Sequence, residues 1–348
     1  MILAVSTFGS RNIGVADGEV RSRVEFWGAA LGLSAELGRD PARLSAGRQQ
    51  LVLLAAALAS EPEILLADEA TAHLDSGARR LVLSRVAERA SAGMAVIWVT
   101  QLAEELAMAH RVFELGGDPA PLDPPESPPP PGRPLLTIRV VPTVEDSGPR
   151  VVVDRPLWIE VADRGVAGLV RPNGSGKSVL LWAAAGLGAP SQLQLNWSSP
   201  PEPPPIAALQ FPELQIFEEN PIDEVSYAAL ARGVPRDRVE ELARKRLRSL
   251  GLDPNSLSKS RTWGLAAGEK RVVEVVGALI APACLYILDE PTAGLDRRRR
   301  ASLGRLVREV AAEKAVLIAS QDREWLEGVA SVIWDLASGA RTPVKGLT

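Results

Sequence analysis

The segment GLVRPNGSGKS, residues 168–178, determines the fold predicted for the second half of the chain. It joins an apolar run to a glycine-rich turn and then to a helix start, which is the layout of a phosphate-binding loop. In such a loop, backbone N–H groups and the helix N-terminus bind phosphates, Lys177 reaches the outer phosphates and Ser178 binds Mg²⁺. The predicted nucleotide contacts of this loop are Asn173, Gly174, Ser175, Gly176, Lys177 and Ser178.

One position departs from the usual spacing of these loops. The pattern Gly-x-x-x-x-Gly-Lys-Ser has its first glycine where this chain has Arg171. A side chain there strains the turn if a positive φ is required, whereas its charge can also approach the phosphates. Both readings stay open from the sequence alone.

A second segment, CLYILDEPTAGLD at residues 284–296, ends an apolar strand with two adjacent carboxylates. Two carboxylates directly after a buried strand indicate metal binding or acid–base work, because an unpaired buried charge is costly. We expect Asp289 to bind Mg²⁺ and Glu290 to polarise an attacking water.

Strands and helices alternate along this half of the chain. The patterns predict strands at 166–170, 285–288 and 315–319 and helices at 177–185 and 236–250. This alternation favours a mostly parallel sheet with helices on both faces. Trp158 and Trp182 have apolar neighbours and are expected in the core.

An internal repeat relates the two ends of the chain. EILLADEATAHLD at residues 63–75 corresponds to residues 284–296, and Gly47 corresponds to Gly268, both at a separation of 221 positions. A repeat this long indicates a duplicated domain. The phosphate loop and Gln210 have no counterparts in the first copy, since both would fall before residue 1. The first copy is therefore expected to be truncated, either as a remnant or through a misplaced gene start.

A proline-rich stretch separates the two copies. Residues 117–134 read GDPAPLDPPESPPPPGRP, which favours an extended, semi-rigid spacer. The alternative is a ligand for a proline-recognising module. The predicted domains are residues 1–116 and 135–348.

Composition fits a folded two-domain protein and excludes several classes. The chain has 348 residues, of which 46% are hydrophobic and 24% charged. Its net charge of −4 provides no basic field, so no nucleic-acid partner is expected. A single cysteine, Cys284, permits no internal disulfide, which fits a reducing compartment.

No membrane span or secretion signal is expected either. The longest apolar stretch, residues 272–288, contains Glu274 and Pro282 and is shorter than the roughly 20 residues that a span needs. It predicts a buried helix followed by a buried strand. The first ten residues lack the features of a secretion signal, so a cytoplasmic location is expected.

Together these motifs resemble those of the ATP-binding-cassette (ABC) ATPases. LSAGRQQ at 44–50 and LAAGEKR at 265–271 are similar to the ABC signature, residues 63–75 and 284–296 to Walker B and the D-loop, and residues 208–225 to the Q-loop region. The wording of this last region is similar to that of energy-coupling-factor importers. The resemblance implies a P-loop NTPase fold of the ABC type, with a helical subdomain in each of two copies, and ATP with Mg²⁺ as cofactors.

The resemblance also implies roles for individual residues. Gln210 is the expected Q-loop glutamine, which contacts Mg²⁺ and takes part in catalysis with Glu290 and Gln321. Because ABC domains pair head to tail, the site of the second copy is expected to include residues of the first copy. These residues are Ser45, Gly47 and Asp75.

Several departures from the family pattern predict a slow, asymmetric enzyme. Ala266 replaces the signature hydroxyl residue in the second copy. Gln101 and Gln321 occupy the position of the switch histidine, and an amide cannot become a cation near pH 7. Residues 138–153 contain no aromatic side chain for stacking on adenine, which contributes about 1–3 kcal/mol per base elsewhere.

The function expected from the resemblance is the ATPase subunit of an importer for a vitamin or metal ion. Such a subunit is peripheral to the cytoplasmic membrane face, works with transmembrane permease subunits and associates with further cassettes. One alternative is a soluble tandem ABC protein acting on ribosomes, and another is a non-catalytic remnant. The ribosomal proteins tend to be basic and to have a charged helical linker, so the acidic composition and proline-rich linker favour the importer.

Overall fold

The structure is a computed structural model that describes residues 16–40, 44–71, 74–100, 102–113, 128–143, 150–170 and 175–343. Contacts divide the chain into two compact units, Met1–Gly117 (unit 1) and Asp118–Thr348 (unit 2). Among the described residues, no helix combines the length and the apolar character that crossing a membrane requires.

Unit 1 is a small α/β assembly. Its helices are α1 (Asp17–Ala30), α2 (Ala46–Ala59), α3 (Ser76–Ser91) and α4 (Ala103–Leu106), and its strands are β1 (Ile64–Asp68) and β2 (Ala95–Val99). The strands are parallel, with Leu66 opposite Ile97. The helices contribute Val24, Leu51 and Val82 to a core that also includes Leu65 of β1.

Unit 2 contains the remaining described elements. Its strands are β3 (Pro134–Val140), β4 (Leu157–Ala162), β5 (Gly165–Val170), β6 (Leu193–Trp197), β7 (Ile206–Ala208), β8 (Leu285–Asp289), β9 (Ala315–Ala319), β10 (Val332–Asp335) and β11 (Ala340–Pro343). Its helices are α5 (Lys177–Ala184), α6 (Pro221–Ala231), α7 (Arg236–Ser249), α8 (Pro254–Leu257), α9 (Ala267–Ile280), α10 (Arg297–Ala311) and α11 (Arg323–Val329).

Two sheets organise unit 2. The larger one has the order β11-β10-β5-β9-β8-β7 and is parallel except for β11, and the smaller one is antiparallel with the order β4-β3-β6. One core joins the larger sheet to helices, with Val272 of α9 and Val307 of α10 buried beside Val316 of β9. The other core includes Ile138 of β3, Leu181 of α5 and Leu317 of β9. Both faces of the parallel sheet are thus covered, as such sheets require.

The predicted α/β class and most predicted elements are confirmed. The strand at 315–319 has the predicted bounds, and the apolar stretch 272–288 contains the end of a buried helix and a buried strand. The expectation of core tryptophans was wrong, because Trp158 is 51% exposed and Trp182 is 40% exposed.

The last part of the proline-rich stretch lies against unit 2. The Ser331 hydroxyl donates to the Pro129 carbonyl at 2.6 Å and accepts from the Val166 amide at 3.0 Å. Strand β3 then begins at Pro134, the last residue of the predicted spacer. The domain boundaries drawn from the sequence stay predictions.

Candidate nucleotide site

The described part of the phosphate loop leads directly into α5. Gly176 has a φ of 88° and is the residue before the first helical residue, Lys177. A Cβ at Gly176 would lie 2.1 Å from the Arg150 carbonyl oxygen and 2.6 Å from Val151 Cα. Only glycine therefore fits at this position, both for its left-handed conformation and for the close approach of the neighbouring backbone.

The start of α5 meets the end of β8 through a short hydrogen bond. The Ser178 hydroxyl donates to Asp289 Oδ2 at 2.6 Å. Asp289 is buried, and this burial raises the pKa of its carboxyl group, although the Ser178 hydrogen bond and the Lys177 charge act in the opposite direction. The pair brings a hydroxyl and a carboxyl oxygen together at the edge of the sheet.

Glu290 lies next to this pair and links it to the end of β9. Lys177 Nζ is 3.9 Å from Glu290 Oε1. The other carboxyl oxygen, Oε2, accepts from the Ser320 hydroxyl at 3.2 Å and from the Gln321 amide at 3.0 Å. Burial raises the pKa of Glu290 above its ordinary value, and the Lys177 charge opposes this. A carboxylate with a raised pKa is a stronger proton acceptor when ionised.

Five of the predicted residues therefore meet at one edge of the larger sheet, and a sixth lies at the same edge. The five are Lys177, Ser178, Asp289, Glu290 and Gln321. The sixth, Gln210, follows β7, whose Ala208 is the partner of Leu288 in β8.

Sequence reasoning missed two groups of residues around the site. Ser320 directly precedes Gln321, and its position after β9 was the available signal. The other group is Arg271 with Glu274 in α9: Arg271 Nη1 donates to Glu274 Oε2 at 2.8 Å, and its guanidinium also donates to the Gln210 carbonyl. Both side chains are buried, and this burial raises the pKa of Glu274 to about 7. Polar residues three positions apart in an apolar helix were the signal in this case.

The remaining predicted site residues have a different status. Asn173 and Gly174 lie outside the described residues, as do Arg171 and Gln101. Ser45 is exposed and precedes α2, Gly47 is buried within that helix, and the Asp75 carboxylate caps α3 by accepting from the Ala78 amide at 2.8 Å. These three residues belong to unit 1, and their part in the site of unit 2 stays a prediction.

The donor set fits Mg²⁺ bound together with a phosphorylated substrate. Mg²⁺ prefers hard oxygen ligands and usually binds through one or two carboxylates plus phosphate oxygens. Ser178 and Asp289 supply such oxygens, and the described residues contain no larger cluster of metal-binding side chains. The buried Ser175 hydroxyl has no hydrogen-bond partner within the described part of the chain, which is the condition expected of a ligand contact.

Comparisons with known proteins give the same direction. The model of the ABC transporter family matches residues 5–72 and 156–293. An ABC transporter ATP-binding protein of Mycobacterium tuberculosis (strain H37Rv) is 30% identical over 351 residues, covering 86% of this chain and 47% of the relative. The energy-coupling factor transporter ATP-binding protein EcfA2 of Lactococcus lactis subsp. cremoris is 31% identical over 165 residues, covering 44% of this chain and 57% of that protein. The chain spans about half the length of these relatives.

A solved structure confirms the cassette fold. The RNase-L inhibitor aligns with a TM-score of 0.62 and 22% identity, covering 90% of this chain and 65% of that chain. At this identity the likeness shows the fold alone.

Proposed function

The chain belongs to the ABC transporter family, and from this premise we propose that it is an ATP-binding and hydrolysing subunit of an ABC importer. It couples the hydrolysis of Mg-ATP to the transmembrane movement of a small solute of the vitamin or metal-ion class. The observation that carries the proposal is the cluster of Lys177, Ser178, Asp289 and Glu290 where the phosphate loop meets the end of β8.

Each member of this cluster has a proposed task. Lys177 binds the β- and γ-phosphates of the substrate, and Ser178, Asp289 and Gln210 are the proposed Mg²⁺ ligands. Bound Mg²⁺ neutralises negative charge on the phosphates. Glu290 orients and polarises the attacking water. Gln321, whose amide already holds Glu290 in place, is the proposed side-chain contact to the γ-phosphate.

The importer role is supported by sequence likeness and by surface chemistry. The relative EcfA2 carries the name of a transporter component. The segment after Gln210 exposes Leu214, Phe217 and Tyr227, and the last two rings pack edge to face at 4.4 Å. Trp263, also exposed, lies close by, because the Thr262 amide donates to the Glu219 carbonyl at 2.9 Å. An exposed apolar patch of this kind is typical of an interaction surface, and we assign it to the permease.

Replacing the loop lysine tests the nucleotide site. Lys177→Ala should weaken Mg-ATP binding about 10- to 100-fold, because hydrogen bonds to charged groups contribute about 1.5–3 kcal/mol. Calorimetric titration of ATP in the presence of Mg²⁺ measures this change. The exposed Lys259→Ala variant is the matched control and should bind like the wild type. Equal affinities for the wild type and Lys177→Ala would remove the nucleotide site from unit 2.

A charge in the apolar patch tests the partner. Leu214→Asp should abolish co-purification with a multi-span membrane protein, since the carboxylate would be desolvated in the interface. Leu187→Asp changes an equally apolar, exposed residue outside this segment and should leave the association intact. If the wild-type protein instead fractionates with ribosomes and is released by high salt, the translation alternative replaces the importer.

A further inference from the structure

Unit 1 exposes one apolar face of its sheet. Ile64, Leu66, Ile97 and Val99 are 60%, 71%, 59% and 47% exposed, and they alternate along β1 and β2. The register pairs Leu66 with Ile97, so the four side chains share one face. We call these four residues the open sheet face. Parallel sheets normally have both faces covered, so this arrangement is unusual for a folded unit.

The internal repeat shows what covers the corresponding face in unit 2. At separations of 220 or 221 positions, the counterparts of the open sheet face are Leu285, Ile287, Leu317 and Ala319. All four are fully buried. They belong to a core that also contains Ile138 and Ile159 of the antiparallel sheet and Leu180 and Leu181 of helix α5. In unit 2 this face is therefore covered by the half of the domain that carries the phosphate loop.

The turn after β1 has the backbone shape of the corresponding turn in unit 2. Glu69 and Glu290 both have a φ of 48°. The Glu69 amide donates to the Val99 carbonyl at 3.0 Å, and the Glu290 amide donates to the Ala319 carbonyl at 2.9 Å. In unit 2 this turn brings its carboxylates against a lysine and a serine. In unit 1 the acidic pair Asp68 and Glu69 is shaped in the same way.

We propose that the open sheet face binds a second polypeptide that carries the phosphate-loop half of an ABC cassette. This half consists of an antiparallel sheet and a helix like those between Pro134 and Trp197, and its lysine and serine would meet Asp68 and Glu69. The shape of the acidic turn favours this occupant over a purely apolar one. A second copy of this chain is less suitable, because its own phosphate-loop half is already packed within unit 2. The proposal concerns unit 1 and does not rest on hydrolysis by unit 2.

A pair of neighbouring leucines tests whether the face is open in the full chain. Leu65 is buried in the core of unit 1, whereas Leu66 points to the opposite face. Leu65→Asp should lower the Tm of unit 1 by more than about 5 °C, and Leu66→Asp should change it by less than about 2 °C. If the two substitutions are equally destabilising, the face is already covered within the chain and the proposal fails.

Photo-crosslinking identifies the occupant. Benzoylphenylalanine in place of Leu66, in the full chain expressed in its source organism, should crosslink to a separate polypeptide at a peptide next to a Gly-x-x-x-x-Gly-Lys-Ser/Thr sequence. The yield should fall at least tenfold when Ile97→Asp is added, and the same crosslinker in place of exposed Leu187 should not capture this polypeptide. A crosslink only to unit 2, to a second copy, to a polypeptide without a phosphate loop, or to no protein overturns the proposal.

Discussion

Glu290 combines two costly conditions in one residue. Its backbone has a φ of 48°, a left-handed conformation that non-glycine residues rarely adopt, and its carboxyl group is buried. Such strain persists only where the surrounding structure enforces it, and it is concentrated at functional sites. The Ser320 and Gln321 hydrogen bonds to Oε2 are the contacts that enforce it here. The strained backbone is therefore explained by the position that it gives to the carboxylate.

Glu274 makes the stability of unit 2 depend on pH. Its pKa is raised from 4.5 to about 7 in the folded state, mainly through burial, so folding favours the protonated form. This contribution to stability is complete below about pH 4.5 and is lost as the pH rises to about 7. We expect the free energy of unfolding to fall by up to about 3 kcal/mol across this window because of this group.

The Glu274→Gln variant should lack this part of the pH dependence, because an amide does not titrate. Urea unfolding of the wild type and the variant at pH 5 and pH 8 measures the difference. Exposed Glu241→Gln is the control and should follow the wild type. Identical pH dependence in the wild type and Glu274→Gln would contradict the assignment of the raised pKa.

At the scale of single elements, periodicity predicted positions better than it predicted faces. Strand β9 has the bounds that its apolar run indicates, and α5 ends one residue before the predicted end. Trp158 was misplaced because β4 alternates between buried and exposed residues, and apolar neighbours do not show which face a residue occupies. Trp182 similarly lies on the exposed side of a short helix whose other residues are mostly buried.

The candidate site was predictable where it depends on strand ends. Asp289 and Gln321 follow parallel neighbours in the sheet, and the carboxyl ends of such strands share one edge. The contact between Arg271 and the Gln210 carbonyl was not predictable, because it depends on where α9 packs against the loop after β7. The sequence shows a polar side chain there, but not its acceptor.

The connection from β5 to α5 allows a controlled test of the phosphate loop. Gly176→Ala should abolish Mg-ATP binding, because the new Cβ meets the backbone of Arg150 and Val151. Gly186→Ala is the matched control: its φ of 77° is also left-handed, but an added Cβ would meet no atom of a distant residue within 4 Å. The control should lose only about 1–2 kcal/mol of stability from its backbone conformation. Calorimetric ATP titrations and thermal unfolding of both variants measure the two effects, and equal behaviour would show that the close approach is unimportant.

At the scale of the whole molecule, the repeat is visible in the structure as well as in the sequence. The signature segments begin the 14-residue helices α2 and α9, and the residues before them, Ser45 and Ala266, have nearly identical backbone angles. Asp75 and Asp296 each cap the helix that follows. The phosphate loop, by contrast, occurs once in the sequence. The two units thus share the signature and carboxylate parts and differ in the phosphate-binding part.

The last prediction concerns cooperation between the two units. If the site of unit 2 includes the signature segment of unit 1, hydrolysis depends on Glu290 and also on Ser45. The Ser45 side chain makes no hydrogen bond that caps α2 and is exposed, so its hydroxyl can serve as a donor to the γ-phosphate. Ser45→Ala should then lower the hydrolysis rate about 10- to 100-fold, because a charge-assisted hydrogen bond contributes about 1.5–3 kcal/mol.

Steady-state hydrolysis at saturating ATP, with the membrane partner present, tests this dependence. Glu290→Gln should bind ATP without hydrolysing it, which establishes that the measured rate belongs to unit 2. Ser34→Ala, an equally exposed serine change in unit 1, should hydrolyse ATP like the wild type. An unchanged rate in Ser45→Ala, together with an inactive Glu290→Gln, would refute the shared site and leave unit 2 as the sole source of activity. If neither variant altered a measurable rate, the chain would be a nucleotide-binding remnant, because both of the groups proposed to act on the γ-phosphate would then be dispensable.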